Sequence, residues 1–211
     1  MNVLVAGAHG KTGMQIVTLL LESDHHVTAM VKERDQIEKM EKLGAKALLA
    51  NLETDIAFAT EGVNAVIFAA GSGPDTGPDK TITIDQDGAI KLIEACEKNA
   101  VERFVMLSAM GVDNPAEGPE KLQHYLKAKQ KADERLQKSN LNYTIIRPGR
   151  LTNDEETGTI EASEHLTGAG EISRADVALT VVEALNNQNT YRKVIDVLNG
   201  DKQIAEALKE V

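Results

Sequence analysis

The chain has few of the residues on which stapled small domains and nucleic-acid-binding surfaces depend. Of its 211 residues one is cysteine, none is tryptophan and only 3% are aromatic. A single cysteine excludes an intrachain disulfide framework and a thiolate zinc site, and the shortage of aromatic rings removes the stacking platforms of single-stranded nucleic-acid binders. Because a chain of this length can bury about 70% of its unfolded surface in one core, it needs no staples.

The charge balance and the short apolar runs exclude further partners. The chain has 23 basic and 33 acidic side chains, for a net charge of -10, so it repels the phosphate backbone of DNA and RNA. No apolar run approaches the ~20 residues of a membrane helix, and the apolar N-terminus lacks the basic leader of a signal peptide. We therefore expect no nucleic-acid partner, no membrane contact and a cytoplasmic location. The histidines show no metal-ligand spacing, so no metal is expected.

Apolar segments of strand length alternate with amphipathic segments of helix length. Strands are predicted at residues 3–6, 26–31, 45–50, 65–70, 103–107, 143–146 and 194–198, and helices at residues 12–21, 35–43, 84–99, 121–138, 173–185 and the C-terminus. Nearly continuous apolar strands separated by helices indicate a parallel sheet that is covered on both faces. We predict an α/β fold: a doubly wound parallel sheet of the Rossmann type, with helices on both faces, in a single domain over residues 1–211.

Three segments outside this alternation are expected to surround a substrate. Residues 71–80 and 110–120 are rich in turn formers and follow the fourth and fifth predicted strands. Such loops build the ligand crevice of open α/β sheets, although simple surface connections are the alternative. Residues 150–211 are too few for a second domain, so we expect a short C-terminal extension on the substrate side that packs on the same core. Its acidic stretch, residues 154–164, is most simply a solvated flap.

The strongest chemical signal is a glycine-rich loop between the first predicted strand and the first predicted helix. Gly7, Gly10 and Gly13 would allow a sharp turn, a close approach of backbone amides to a pyrophosphate, and close packing of the helix on the sheet. The helix N-terminus adds unpaired N–H groups and a partial positive charge. The spacing is GxxGxxG rather than GxGxxG, but its strand–loop–helix context favours a dinucleotide site. It is not the phosphate loop of ATPases, because Lys11 and Thr12 lie inside the glycine triplet.

Several further motifs follow in order along the chain. They are GAHGKTG (residues 7–13), MVKER (30–34), VIFAAG (66–71), FVMLS (104–108), YLKAK (125–129), YTIIRPG (143–149) and SRADVA (173–178). Together they resemble the atypical short-chain dehydrogenase/reductase family, in its NAD(P)H-binding branch of NmrA-like and flavin- or biliverdin-reductase-like proteins. The resemblance covers residues 1–150 closely, and it implies the Rossmann fold and an NAD(P)H cofactor.

The resemblance also implies which residues meet the cofactor and the substrate. Ser108, Tyr125 and Lys129 correspond to the family's catalytic positions: Ser108 would hydrogen-bond the substrate oxygen, and Lys129 would hold the nicotinamide ribose. Asn51 stands where the family usually has Asp against the adenine. The cofactor-binding residues implied are Gly7, Ala8, His9, Gly10, Lys11, Thr12, Gly13, Lys32, Arg34, Asn51, Leu52, Ala69, Ala70, Gly71, Ser108, Lys129 and Pro148.

Tyr125 and Lys129 are four residues apart on a predicted helix, so both side chains would project from one face. A neighbouring ammonium favours the phenolate and lowers the pKa of a tyrosine from ~10. We therefore expect Lys129 to lower the pKa of Tyr125, which would handle the proton while hydride is transferred. A packing tyrosine is the alternative, because this helix is rich in lysine, and His124 is a competing acid–base group.

The end of the second predicted strand favours NADP over NAD. In dinucleotide folds an acidic residue about twenty positions beyond the glycine loop holds the ribose 2′-hydroxyl of NAD, whereas a basic one accommodates the 2′-phosphate of NADP. Here the position has Lys32, followed by Glu33 and Arg34. If the chain is still extended there, Lys32 and Arg34 point to one side and Glu33 to the other. Turned inward, Glu33 would suit NAD instead.

Three functions stay open from the sequence. The leading hypothesis is an NADP(H)-binding oxidoreductase that transfers hydride between the nicotinamide and a small carbonyl, quinone or flavin-like acceptor. The second is a non-catalytic NADP(H) sensor with a protein partner. The third is an NAD-dependent epimerase or dehydratase, for which residues 150–211 are a short substrate-binding part. The identity of the small-molecule substrate is not encoded in any motif of the chain.

Overall fold

A nine-stranded, mostly parallel sheet organises the part of the chain that the computed structural model describes, residues 1–73 and 77–211. The strands are β1 (Asn2–Ala6), β2 (His26–Val31), β3 (Lys46–Leu49), β4 (Ala65–Phe68), β5 (Arg103–Leu107), β6 (Asn142–Pro148), β7 (Arg150–Thr152), β8 (Thr159–Ser163), β9 (Glu171–Ser173), β10 (Lys193–Asn199) and β11 (Lys202–Gln203). The sheet order is β11-β8-β10-β6-β5-β4-β1-β2-β3, and β7 pairs with β9 separately. From β3 to β10 all neighbours are parallel, whereas β8 pairs antiparallel with both β10 and β11.

Helices cover both faces of the sheet. They are α1 (Lys11–Glu22), α2 (Ile37–Leu43), α3 (Pro78–Lys80), α4 (Asp87–Lys98), α5 (Gln123–Gln137), α6 (Arg174–Asn186) and α7 (Ile204–Ala207), and a π-helical segment (Thr81–Gln86) joins α3 to α4. Successive residues of β1 alternate between two buried clusters: Val3 and Val5 belong to the cluster of α1 and α6, whereas Leu4 and Ala6 belong to that of α4 and α5. The predicted doubly wound α/β fold is thereby confirmed. Within residues 1–73 and 77–211, no helix has the length and apolar character needed to span a membrane.

Several element boundaries differ from those predicted, and two of the differences have a clear local reason. β4 ends at Phe68 rather than at residue 70, because its partner β1 turns away at Gly7, where φ is +82°. The long helix predicted from residue 84 begins instead at Pro78. Proline suits the first turn of a helix, because the amides of that turn have no partner within the helix and the missing N–H of proline costs nothing there. The spacing of apolar residues in the sequence did not predict the π-helical segment.

Residues 150–211 pack onto the same core as the rest of the chain. β10 lies beside β6 in the main sheet, and α6 packs against α1 on one face. The prediction of a solvated flap at residues 154–164 is wrong in its second half, because β8 pairs with β10 and buries Ile160 completely. Residues 154–156 are exposed. Only residues 159–163 of this stretch therefore complete the sheet.

Arg103, the first residue of β5, carries a guanidinium with 3% of its surface exposed. It donates to the carbonyl oxygens of Asn142 (2.6 Å), Ala184 (2.7 Å) and Leu185 (3.3 Å) and to the hydroxyls of Thr144 (2.6 Å) and Thr190 (3.1 Å). Burial lowers the pKa of Arg103 to about 10, so it stays charged at neutral pH. The guanidinium thus ties β5 and β6 to the last carbonyl groups of α6, which lack partners within the helix.

Replacing Arg103 with leucine should lower the free energy of unfolding by about 3 kcal/mol, because several buried acceptors lose their donor. Arg150→Leu is the matched control: Arg150 pairs with Glu171 on the surface, where an ion pair contributes ~0–1 kcal/mol. Urea unfolding of both variants measures the difference. Equal losses would show that Arg103 does not hold these elements together.

Candidate functional site

A cleft opens at the carboxyl ends of β1 to β4, where a doubly wound sheet binds its ligands. Its volume is about 360 Å³. It is lined by Gly7, His9, Gly10, Met30, Val31, Lys32, Gln36, Ala50, Asn51, Leu52, Glu53, Ala69, Ala70, Gly71, Ser72, Lys80 and Ile84. The cleft is therefore built from the loops that follow four adjacent strands, together with the start of the helix after β4.

The glycine loop has the geometry of a pyrophosphate cradle. A Cβ on Gly7 would lie 2.6 Å from the backbone nitrogen of Ala70, and one on Gly13 would lie 2.1 Å from the carbonyl oxygen of Gly7. Gly10 is the N-cap residue of α1, so no side chain accepts a hydrogen bond from the first amides of the helix. The first turn of α1 also contains no acidic residue. The unpaired amides and the positive end of the helix dipole are thus open to an anion. The loop fits a dinucleotide pyrophosphate.

The predicted cofactor residues divide into those on the cleft surface and those beneath or beside it. Gly7, His9, Gly10, Lys32, Asn51, Leu52, Ala69, Ala70 and Gly71 line the cleft. Ala8, Thr12 and Gly13 are buried under the loop, and Lys11 and Arg34 are exposed outside the lining. Ser108, Lys129 and Pro148 are buried at the neighbouring ends of β5, α5 and β6. Their contact with a cofactor stays a prediction.

Sequence reasoning missed several residues of the lining. They are Met30, Val31, Gln36, Ala50, Glu53, Ser72, Lys80 and Ile84. Met30, Val31 and Ala50 lie at the carboxyl ends of predicted strands, and that position was an available signal. Lys80 and Ile84 had none, because they approach only when the helix after β4 begins at residue 78.

The backbone at residues 32–34, beside the cleft, is not extended as the sequence analysis assumed. β2 ends at Val31, and Arg34 begins a single 3₁₀ turn. Glu33 caps this turn: its carboxylate accepts from the backbone amide of Gln36, and Gln36 Oε1 accepts from the amides of Lys32 and Glu33, both at 3.3 Å. The acidic side chain is therefore held at the turn, while Lys32 lines the cleft.

An ion pair joins the two sides of the cleft near the predicted adenine position. Lys80 Nζ lies 2.7 and 2.9 Å from the carboxylate oxygens of Glu53, and this hydrogen bond lowers the pKa of Glu53. Asn51 Oδ1 accepts from the backbone amide of Glu53 at 3.0 Å. Of the loops predicted to enclose the site, residues 71–72 and 80 line the cleft, residues 74–76 lie outside the described residues, and residues 110–120 contribute nothing to the lining.

Lys129 is a buried cation at the inner end of the cleft, with 3% of its surface exposed. Its ammonium lies 3.2 Å from Asp85 Oδ1, 3.2 Å from the carbonyl oxygen of Leu107 and 3.4 Å from that of Ala70. Burial alone would lower the pKa of Lys129, but its interactions with Tyr125 and with the Asp85 carboxylate outweigh burial and raise the pKa. Lys129 thus stays protonated. A cofactor ribose hydroxyl that accepted a hydrogen bond from its ammonium would do so alongside the three protein oxygens.

Asp85 was not among the predicted residues, yet it changes the role expected of Tyr125. It is fully buried on the π-helical segment and accepts from the amide of Ser72 at 2.9 Å. Lys129 Nζ lies 5.9 Å from the Tyr125 ring centre. Lys129 does act to lower the pKa of Tyr125, as predicted, but burial has the larger effect and the carboxylate of Asp85 opposes the ammonium, so the pKa of Tyr125 is raised overall. Tyr125 therefore keeps its proton at neutral pH.

A second buried polar group continues along α5. Asp133 is 1% exposed and accepts from Arg147 Nε at 2.9 Å, and Arg147 also donates to Asp113 at 2.9 Å. Burial raises the pKa of Asp133 to about 6, although Arg147 and the Ser108 hydroxyl lower it. Asp133 was missed as well, but its spacing of four from Lys129 on one helix face was a usable signal.

Removing one partner of the Lys129–Asp85 pair should cost far more than removing both. Lys129→Met leaves a buried carboxylate without its cation, for which we expect a loss of about 3–5 kcal/mol in the free energy of unfolding. Lys129→Met combined with Asp85→Leu should recover most of that loss. A double-mutant cycle by urea unfolding measures the coupling, and additive losses would contradict a direct ion pair.

Comparisons with known proteins agree with this geometry. Residues 7–188 match the model of a family described as NAD(P)H-binding. The chain is 46% identical to a protein of Bacillus subtilis named as an uncharacterized sugar epimerase, with 100% of each chain covered. A solved structure named as a putative NAD-dependent epimerase/dehydratase of Bacillus halodurans has a TM-score of 0.97 and 44% identity, again over 100% of each chain.

A second solved structure, named as an oxidoreductase of Lactococcus lactis, has a TM-score of 0.89 and 31% identity over 100% of this chain and 96% of the other. Relatives of this kind share both the whole chain length and the fold, and the family match begins at the first glycine of the cradle. The resemblance to atypical short-chain dehydrogenases/reductases is thereby confirmed. The chain belongs to the NAD(P)H-binding family of Rossmann proteins.

Proposed function

We propose that the protein is an NADP(H)-dependent oxidoreductase that reduces a small carbonyl, quinone or flavin-like acceptor. The observation that carries this proposal is one cleft that runs from the glycine cradle to Lys32, with the buried ammonium of Lys129 in contact with Ala70 of its lining. Ser108 is buried and Tyr125 is half-buried outside that lining. A sensor needs the cradle alone. A hydroxyl, a phenol and an ammonium near the cradle are the groups that carbonyl reduction uses.

The chain's own residues divide the work of holding the cofactor. The amides around Gly10 would bind the pyrophosphate, Lys32 the adenosine 2′-phosphate, and Leu52 would pack against the adenine. The bound nicotinamide supplies the hydride. Tyr125, which keeps its proton, would donate a hydrogen bond to the acceptor oxygen and hold it in place.

The size of the acceptor is inferred from the C-terminal segment. In this chain residues 150–211 complete the sheet through β8 and β10 and cover one face with α6. Little of the segment is left to enclose a large substrate such as a sugar nucleotide. This supports a small acceptor and a shallow substrate site.

The names of two relatives favour epimerisation as the second candidate. An epimerase returns hydride to the carbon from which it was taken, so it consumes no reduced cofactor. A reductase consumes one NADPH for each product. Loss of nicotinamide absorbance with added carbonyl, quinone and flavin acceptors, and deuterium transfer from NADPH deuterated at the transferring carbon, separate the two. NADPH binding without turnover of any acceptor would instead favour the sensor.

Lys32 should decide the choice of cofactor. Lys32→Ala should weaken NADPH binding by about 10- to 100-fold, because a charge-assisted hydrogen bond of ~1.5–3 kcal/mol is lost, and should leave NADH binding nearly unchanged. Lys42→Ala, an exposed lysine of α2 that pairs with Glu38, is the control. Calorimetric titration measures both ligands. Equal or tighter binding of NADH to the wild type would defeat the NADP assignment.

Tyr125→Phe should reduce kcat/KM only by about fivefold, since a phenol with a raised pKa contributes one neutral hydrogen bond of about 1 kcal/mol. NADPH affinity should stay unchanged. Steady-state kinetics with the best acceptor from the screen give the answer. A loss of ~100-fold or more would instead make Tyr125 the proton donor.

A further inference from the structure

Two buried groups of opposite charge stand behind one wall of the cleft. This wall is the segment of residues 69–72 that follows β4. Asp85 Oδ2 accepts from the backbone amide of Ser72 at 2.9 Å. Lys129 Nζ donates to the carbonyl oxygen of Ala70 at 3.4 Å and lies 3.2 Å from Asp85 Oδ1. Because Lys129 is 3% exposed and Asp85 is fully buried, this ion pair holds the wall from the side of the protein interior.

The two contacts fix the direction of the peptide groups on either side of Gly71. A trans peptide is planar, so its C=O and its N–H point in opposite directions. Because the C=O of Ala70 points at Lys129, the N–H of Gly71 in the same peptide group points away from the ammonium. Because the N–H of Ser72 points at Asp85, the C=O of Gly71 points away from the carboxylate. Gly71 thus directs both its donor and its acceptor to the side opposite the ion pair.

The side opposite the ion pair is the cleft. Gly71 is exposed and belongs to the lining. Within residues 1–73 and 77–211, neither its N–H nor its C=O has a hydrogen-bond partner. A Cβ on Gly71 would crowd Asp85 Oδ1 at 3.3 Å, so the missing side chain lets the backbone rest against the carboxylate. The cleft therefore presents a donor and an acceptor of one residue side by side.

A ribose hydroxyl is the ligand group that matches this pair. Its oxygen accepts from the N–H and its proton is donated to the C=O, whereas a phosphate oxygen only accepts. A Cβ on Gly7 would lie 2.6 Å from the backbone nitrogen of Ala70, so Gly71 is one residue from the pyrophosphate cradle. The two riboses of a dinucleotide are attached directly to the pyrophosphate. The adenine edge and the nicotinamide carboxamide also donate and accept, but they lie one ribose further away.

We propose that Asp85 and Lys129 are positioning residues that turn the N–H and the C=O of Gly71 into the cleft, where both bind a ribose hydroxyl of the dinucleotide. The two side chains act through the backbone, because neither is part of the cleft lining. The inference goes beyond the proposed reduction, since it requires only that the cleft binds a dinucleotide. Asp85 also lies on the π-helical segment, and π-helical turns occur frequently at functional sites.

Nuclear magnetic resonance of the Gly71 amide tests the contact in the wild-type protein. NADPH or NADH should shift this signal and slow its hydrogen exchange by about fivefold or more, because the N–H gains an acceptor. Adenosine monophosphate and nicotinamide mononucleotide each carry one of the two riboses, and the one that reproduces the effect identifies the ribose. Inorganic pyrophosphate, adenine and nicotinamide lack a ribose and should leave the signal in place. A response to any of these three, or to none of the nucleotides, would overturn the inference.

The double variant Lys129→Met with Asp85→Leu tests the ion pair. It lacks both ties to the wall, yet it is expected to regain most of the stability that Lys129→Met loses. Its affinity for the dinucleotide should fall about 10-fold, because the hydrogen bonds of Gly71 are no longer held in place. Its affinity for inorganic pyrophosphate, which needs only the cradle, should stay unchanged. Lys127→Met is the matched control, since Lys127 is an exposed lysine two residues away on α5.

Calorimetric titration with both ligands gives the answer. Dinucleotide binding as tight as in the wild type would show that the ion pair does not position Gly71. An equal loss of affinity for pyrophosphate would show a general change of the cleft and would also overturn the inference. If the double variant does not fold, Asp85→Asn, which removes the charge that holds Lys129, takes its place in the same comparison. These measurements need no acceptor, so they stand or fall separately from the proposed reduction.

Discussion

The buried ammonium of Lys129 is the interaction on which the inner end of the cleft depends. It binds oxygens of Ala70 after β4, Leu107 at the end of β5 and Asp85 on the π-helical segment. These three elements belong to different parts of the sheet and of the helix after β4. A cation with 3% exposure is stable there only because it is paired. The same pairing keeps Lys129 from acting on Tyr125 as an isolated charge.

The outer end of the cleft depends instead on backbone that carries no side chain. Gly7 and Gly13 are in contact with main-chain atoms at distances that exclude a Cβ. This allows β1, α1 and the end of β4 to meet, and no side chain caps the first amides of α1. Backbone thus lines one end of the cleft and buried charges stand beside the other, and Asp85 links them by accepting from the amide of Ser72.

The sequence could be read for the fold because central strands such as β1 and β4 are apolar on both faces, and only a sheet covered on both sides buries such strands. The glycine spacing indicated the cradle because its three glycines are close together in sequence, between one strand and the helix that follows it. The flap at residues 154–164 was misread because only one residue of β8, Ile160, is fully buried, and the acidic residues around it suggested a solvated surface. Burial of that residue depends on β10, which is distant in sequence.

What the sequence by itself determined is the fold class, the family and the nucleotide cradle, since these follow from local periodicity and from motifs of contiguous residues. Only the tertiary structure decided which charges meet. Asp85 lies 44 positions before Lys129 and Asp133 lies 14 before Arg147, and no pattern within one element shows that these side chains share a buried volume. The pKa of Tyr125 and the position of Glu33 were decided in the same way, because burial and capping are properties of the packed molecule.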